Sequence, residues 1–466
     1  MKGQCMRSVF AIGATAIILS AALVTASGSP DQSAAKPSVP TFTKDVAPIL
    51  YKNCTSCHRP GEIAPMSLLT YEDVRPRAKD IRDKVADGVM PPWHAEKAHG
   101  KFANERSLTD EEKSVLLRWA NNGAPKGEDK DMPPAPKFVD GWSLGQPDTI
   151  FQLPVDYKVP ADGFVDYEYF EIPTNFTEDK WVQAIEVRPG ARAVVHHVIV
   201  SARPAQPERR PGGFTFAKGM DIPQGQTGSD AAGPKPEDTR HGKRQGLFPA
   251  PQRLGVFISG FAPGTSPFAF EPGSAVLIRA GATLVVQMHY TTNGKEAIDR
   301  TKIGFFFAKQ PPEREIRLGT LINGQLKIPA GEKDYSISAD MTTLADVTLR
   351  SLLPHTHLRG RSWEYSAIYP DGRTEVILSV PKYDFNWQTE YVFAEPLKLP
   401  KGTRIHAVAH YDNSASNKAN PDPTVDVAWG DQTWEEMMFT GITYTIDGVK
   451  PGENLQLNLG RGRGGQ

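Results

Sequence analysis

Leu352-Leu-Pro-His-Thr-His-Leu-Arg-Gly360 closes an apolar, strand-like run that begins at Ala345. Side chains at i and i+2 project from one face of an extended strand, so His355 and His357 point the same way. Two imidazoles on one face suit a borderline or soft transition metal such as copper or zinc. A lone His-x-His is equally satisfied by one histidine packed in the core and one capping a strand end. The company the pair keeps separates the two readings.

That company is β-structure on both sides. Short alternating runs recur at Asp148–Leu153, Tyr167–Ile172, Trp181–Val187, Val194–Ser201, Thr283–Tyr290 and Ile303–Phe307. A break near Pro311–Leu318 follows, then Ala345–Leu353, Trp363–Tyr369, Thr374–Val380, Arg404–Tyr411 and Met437–Tyr444. Many short strands separated by turn residues predict two antiparallel β-sandwich, jelly-roll-like domains, at residues 139–315 and 316–450, with a tail at 451–466. The insert Arg203–Arg253, rich in Pro, Gly and charge, reads as a surface loop or lid.

Most of the histidines fall on these strands. His196 and His197 sit in the hydrophobic run Val194–Val200. Adjacent strand residues face opposite ways, so two ligands for one metal need a bulge or a strand end there. His289 ends Thr283–Tyr290, where alternation puts Val285, Gln287 and His289 on one face. Met437, in Trp434-Glu-Glu-Met-Met-Phe439, offers a soft sulfur suited to cuprous copper. His406 and His410 share a strand face and read as structural, as outer support for a metal or as a further metal site.

Towards the N-terminus, Cys54-Thr-Ser-Cys57-His58 is a c-type haem attachment signature, with His58 as the proximal iron ligand. A redox Cys-x-x-Cys gives no reason for His58. Residues 41–125 predict a small all-α domain. Thr43 caps a helix carrying Val46, Ile49 and Leu50, and Thr109 to Glu112 has capping-box spacing ahead of Val115, Leu116 and Trp119. Met90, on the proline-braced loop Gly88–Trp93, is the expected sixth haem ligand, with Met66, His94 and His99 as rivals. The segment resembles small class I cytochromes c. Residues 126–138 read as a linker.

Residues 1–26 read as a secretory signal peptide, or as a retained membrane anchor, and 27–40 as a linker. No later stretch has the ~18 unbroken apolar residues of a spanning helix. Of three cysteines only Cys54 and Cys57 would remain after Cys5 leaves, so an exported chain without structural disulfides points to a bacterial periplasm, or to secretion. A net charge of −1, from 53 basic and 54 acidic residues, gives no pull toward nucleic acid.

In order, His-His, His-Tyr, His-Thr-His and Glu-Glu-Met across residues 140–450 resemble the type II copper, ascorbate-dependent monooxygenases, which include peptidylglycine α-hydroxylating and dopamine β-monooxygenases. Phe261-Ala-Pro-Gly264 is similar to a turn of that family. The resemblance implies two copper ions. His196, His197 and His289 would hold one that stores and passes an electron. His355, His357 and Met437 would hold the other, where O2 binds and a substrate C–H bond breaks, with a solvent cleft between them. Either Gln287 or Glu436 would orient the imidazoles. The activity implied is an oxidoreductase acting on paired donors with incorporation of molecular oxygen.

The chain departs from the family pattern in two ways. It has no cysteine after Cys57, and Leu353 or Pro354, Phe439 and Gly441 stand where the peptide-amidating enzyme grips a carboxylate. An apolar or neutral small molecule is therefore the expected substrate. Electrons are expected from ascorbate or a periplasmic donor, relayed by the single haem c. The alternative is a periplasmic electron-transfer cytochrome carrying a copper-binding or interaction module. A zinc hydrolase lacks its H-E-x-x-H or carboxylate-rich ligand set.

Overall fold

The computed structural model describes residues 38–205, 214–216 and 255–455, less Ile63, Asp140, Pro263, Gly264, Ser266, Asp431 and Asn454. The expected signal, most of the linker after it, most of the 203–253 insert, the Pro263-Gly264 turn and most of the tail lie outside the described residues.

Strands dominate from Thr149 onward. One long sheet runs in the order Thr149–Gln152, Lys302–Phe307, Lys180–Arg188, Ser274–Ile278, Arg314–Ile322, Phe439–Ile446, Val347–His355 and Tyr391–Leu399. A four-stranded sheet, Glu168–Pro173, Thr283–Tyr290, Val195–Arg203 and Val256–Phe261, packs against its first half. Val198, Val200, Leu284, Val286 and Met288 meet Val182, Ile185, Ile303 and Phe305 in that core. A five-stranded sheet covers the second half: Thr374–Val380, Gly360–Ile368, Arg404–Tyr411, Tyr335–Thr343 and Phe214–Phe216. Trp363, Tyr365, Ala407 and Tyr411 pack there on Leu349, Leu352 and Ile442. Each large apolar side chain so buried stabilises by roughly 1.5–3 kcal/mol.

The two halves are not separated by a break. Arg314–Ile322 pairs parallel with Ser274–Ile278 through Arg314 to Ile316, then antiparallel with Phe439–Ile446 through Arg317 to Ile322. Polar Glu315 and Arg317 hide this strand from an apolar pattern; both are buried, and they pair with each other at 3.3 Å. The insert also proves more than a surface loop. Its strand Phe214–Phe216 leaves the first half and adds to the edge of the second half's sheet, Thr215 opposite Thr342. Both features tie the halves together at backbone level.

The α-helices of the described residues lie between Ala47 and Asn121. Thr41, not Thr43, starts the first helical segment; its N–H donates to Asp45, and Thr43 is buried. The capping box at Thr109 and Glu112 forms with both bonds, worth about 1 kcal/mol. Trp119, Leu116, Leu50, Val46 and Phe42 make a small helical core of their own. Among the described residues no helix is long and apolar enough to cross a membrane.

The segment between these helices reaches into the β core. Ala103 donates to the Val392 carbonyl at 2.8 Å, Ala394 to the Lys101 carbonyl at 2.8 Å, and Glu96 to the Ser379 carbonyl at 2.9 Å. Trp93 and Phe102 pack edge-on against Tyr391. Asn104 clamps the same strand, donating to the Glu390 carbonyl at 2.7 Å and accepting from Val392.

Glu390 lies under this clamp, its carboxylate accepting from the Ser351 hydroxyl at 2.5 Å. Burial pushes its carboxyl up to about 7 from an ordinary 4.5, against the pull of that hydroxyl. Between those two values the folded chain holds a proton that the unfolded chain has shed, so stability falls as pH rises through the window. Glu390→Gln removes this loss. Its unfolding free energy from urea denaturation should match the parent at pH 5 and exceed it at pH 8, by no more than about 3 kcal/mol. An equal shift at both pH values would assign the effect to packing instead.

Candidate metal centre

The difficulty posed by adjacent histidines on one strand is resolved by a bulge. His289 pairs with His197, but the next residue, Tyr290, pairs with Val195, leaving His196 as the extra residue. A bulge re-aims its side chain. His196 Nδ1 consequently lies 3.3 Å from His197 Nδ1. Ligand nitrogens of His196, His197 and His289 all lie within 4.8 Å of one another. His197 and His289 are buried, and His196 is half-buried. This buried three-histidine group can hold a metal ion.

His355 ends the strand Val347–His355, and Thr356 and His357 turn away from it. Both imidazoles are buried, with ring centroids 5.1 Å apart. His357 Nδ1 faces the Glu435 carbonyl at 3.2 Å, and His355 Nδ1 faces Gln388 Oε1 at 3.0 Å. Both partners accept, so Nδ1 carries the proton in each ring and Nε2 keeps its lone pair. Gly360 permits the turn, since a Cβ there would overlap the Thr356 hydroxyl.

Glu436 fastens this turn to Met437. Its Oε2 accepts from the backbone N–H of His357 at 2.8 Å and of Met437 at 3.0 Å; its Oε1 accepts from that of Arg359 at 2.7 Å. It thus positions the backbone, where sequence reading assigned it to the imidazoles. Met437 is half-buried, and its carbonyl accepts from Tyr411. Gln287 acts on an imidazole, opposing the depression of His197, while donating to the Tyr169 hydroxyl at 2.6 Å.

Three side chains that sequence reading missed touch members of both histidine groups. Gln388 Nε2 lies 3.3 Å from His197 Nδ1, while its Oε1 meets His355. Phe385 lies flat on His196, with centroids at 5.4 Å and planes 17° apart, and within 6.0 Å of His289 and His357. Tyr167 stands 4.7 Å from His289, 5.4 Å from His197 and 6.4 Å from His357. These three side chains bridge the two groups. Nothing in a polar loop such as Pro381–Glu390 flags such a role in sequence.

Burial sets the charge state of the rings. It depresses His289 to about 3, helped by His196 and His355, and His355 to about 4 against its Gln388 bond. His197 and His357 are driven well below the ordinary value, again chiefly by burial. All are neutral at physiological pH, the form in which imidazole ligates. Among the described residues, buried His197 Nε2, His289 Nδ1 and His357 Nε2 have no hydrogen-bond partner. Burying a polar atom unpaired costs free energy, and a metal ion could supply the missing partner.

At the helical end, Cys54 and Cys57 are not joined to each other. Burial pushes the Cys54 thiol up to about 12, which keeps it protonated and disfavours a thiol–disulfide role. His58 Nδ1 meets the Met66 carbonyl at 3.3 Å, leaving Nε2 for an iron. That contact sets the Met66 backbone behind the His58 ring. His99 pairs loosely with Glu96 at 3.9 Å, and His94 lies in the field of Asp384, Arg106 and Lys382. Met90 is half-buried, its N–H on the Lys84 carbonyl at 3.2 Å. His406 and His410 bond Asp340 and Asp334, at 2.8 and 3.0 Å.

No family model matches the chain, and no curated protein does. Among solved structures, those of the Gt and Gx strains of infectious bursal disease virus align over 66% of this chain and 73% and 72% of theirs, each at 9% identity with a TM-score of 0.17. So slight a likeness bears on neither fold nor function.

Proposed function

We propose that this chain is a copper-dependent monooxygenase that hydroxylates a C–H bond of a small, uncharged substrate with O2, and that a c-type haem on Cys54, Cys57 and His58 supplies its electrons. The observation that carries the reading is the set of five neutral imidazoles in two groups, with buried, partnerless nitrogens in both. His196, His197 and His289 would hold one copper; His355, His357 and Met437 would hold the other. Copper, when bound, supplies one-electron redox chemistry and a position for O2. Met90 is the proposed axial partner of His58.

The residues around His355 and His357 suit an apolar or neutral substrate. Phe439 stands edge-on to His355 at 6.0 Å, with Phe385 and Tyr167 beside His357. Arg359 is no carboxylate anchor, because it is buried and committed to Asn413 and the Trp434 carbonyl. Ascorbate or a periplasmic protein is the proposed donor, and the periplasm or cell exterior the proposed location.

One observation favours a second reading. Tyr167, Phe385 and Gln388 pack where a substrate would enter between the groups, which suits an electron-transfer cytochrome with a copper-binding module. The test is oxygen uptake by copper- and haem-loaded chain, with ascorbate and a panel of neutral small molecules. Uptake matched one to one by an 18O-labelled hydroxylated product is expected. Full copper loading with no substrate-dependent uptake would transfer the assignment to the second reading.

A further inference from the structure

Two lines of contact from the Cys54–His58 side of the molecule reach His196. Directly after His58, Arg59 donates to Glu62 Oε1 at 2.7 Å. Glu62 accepts from Arg192 Nη1 through both oxygens at 2.9 Å, and only 13% of its side chain is exposed. Arg192 stands four residues before His196, in the turn where Val194 and Val195 donate to the Ala191 carbonyl. A shielded ion pair thus joins the loop after the haem motif to the loop before the bulge.

A second line of contacts meets His196 from the loop Pro381–Glu390. Arg106, whose charge reaches the Cys57 thiol, donates to Thr389 Oγ1 at 3.5 Å. His94 lies in the field of Asp384. In the same loop, Phe385 stacks on the His196 ring, while Asn386, which donates to Asp384, and the Asp384 charge both act on that ring. The same loop reaches His355 and His197 through Gln388, and His357 takes its outer bond from Glu435, while the Glu62–Arg192 pair adds a line of its own that runs to His196.

We propose that His196 is the port through which an electron leaves the Cys54–His58 haem for the three-histidine group, with Glu62, Arg192 and Phe385 as the residues that position it. The proposal rests on the monooxygenase reading for the presence of both cofactors. The step moves one electron: ferrous haem becomes ferric as a cupric ion becomes cuprous, with no bond made or broken and no proton transferred. A one-electron donor of the ascorbate class recharges the haem.

The test uses full-length chain loaded with haem and copper, both counted per chain beforehand. Under anaerobic conditions half an equivalent of ascorbate, a two-electron reductant, delivers one electron per haem. The ferrous haem band and the cupric electron-spin resonance signal are then followed together. In the parent, the ferrous band decays in a fast phase that coincides with loss of cupric signal. Glu62→Gln, Arg192→Met and Phe385→Leu should each lose the fast phase while keeping the haem spectrum and copper count. The reversed pair, Glu62→Arg with Arg192→Glu, should regain it, which a general packing defect would not allow. If Phe385→Leu loses copper, the ion-pair variants alone decide the outcome. A fast phase retained in Glu62→Gln and Arg192→Met overturns the port. A parent with copper and haem but no decay also overturns it, whereas a parent without copper removes the monooxygenase reading itself.

Discussion

Metal analysis of His289→Ala will return one copper per chain against two for the parent, with haem content unchanged. His289 is the sole member of the first group contributed by Thr283–Tyr290, and its Nδ1 is buried without a partner. Removing it leaves His196 and His197, too few donors for a closed site in a buried setting. Loss of affinity should exceed the ~10–100-fold typical of losing a mere outer partner. The paired variant His355→Ala/His357→Ala should give the converse, keeping the first copper and losing the second. Hydroxylation should vanish in both, because electron storage and C–H cleavage are assigned to different ions. Loss of both coppers in each variant would mean that the five histidines hold one shared centre. Gln388, Phe385 and Tyr167 touch both groups, so a shared centre is a live outcome that the copper counts can separate from two independent sites.

Several strands were readable from their alternating or apolar runs. Thr283–Tyr290, Thr374–Val380 and Arg404–Tyr411 have the limits that alternation predicts. Other strands went unread, among them the apolar Ser274–Ile278 and Tyr391–Leu399. Arg314–Ile322 reads as a break because Glu315 and Arg317 satisfy each other inside, a pairing that one sequence does not display. The metal centre divides the same way. Its histidines stand out by residue type, but His357 lies past the end of the strand, in a turn that Gly360 permits, rather than on the strand face that alternation assumes. Bringing His196 round to His197 needs a register shift against Tyr290, set by pairing between distant strands. Phe385 and Gln388 belong to a loop with no period at all, so their closeness to both groups exists only in three dimensions.

Glu436→Ala should produce the largest loss of stability among single substitutions near the site. Its carboxylate is fully buried and is the shared acceptor for the N–H groups of His357, Arg359 and Met437. Burial pushes the carboxyl up to about 7, while those three donors and the Arg359 charge pull it down. Alanine leaves three donors without their acceptor, each costing about 1–3 kcal/mol if it stays dry. The Arg359 guanidinium, 1% exposed, keeps its own bonds to Asn413 and the Trp434 carbonyl. Because the turn can relax or admit water, the three unpaired donors overlap rather than add, and a loss of about 3–5 kcal/mol is expected in metal-free chain. Urea denaturation measures it. Glu436→Gln should fall between parent and alanine, since one oxygen still accepts while the amide group turns a donor toward donors. Copper counting adds a second readout, because the same carboxylate holds His357 and Met437 in register. The second copper should be lost from Glu436→Ala while the three-histidine copper and the haem remain. A variant destabilised by less than about 1 kcal/mol that keeps two coppers would show that the turn holds its shape without this carboxylate.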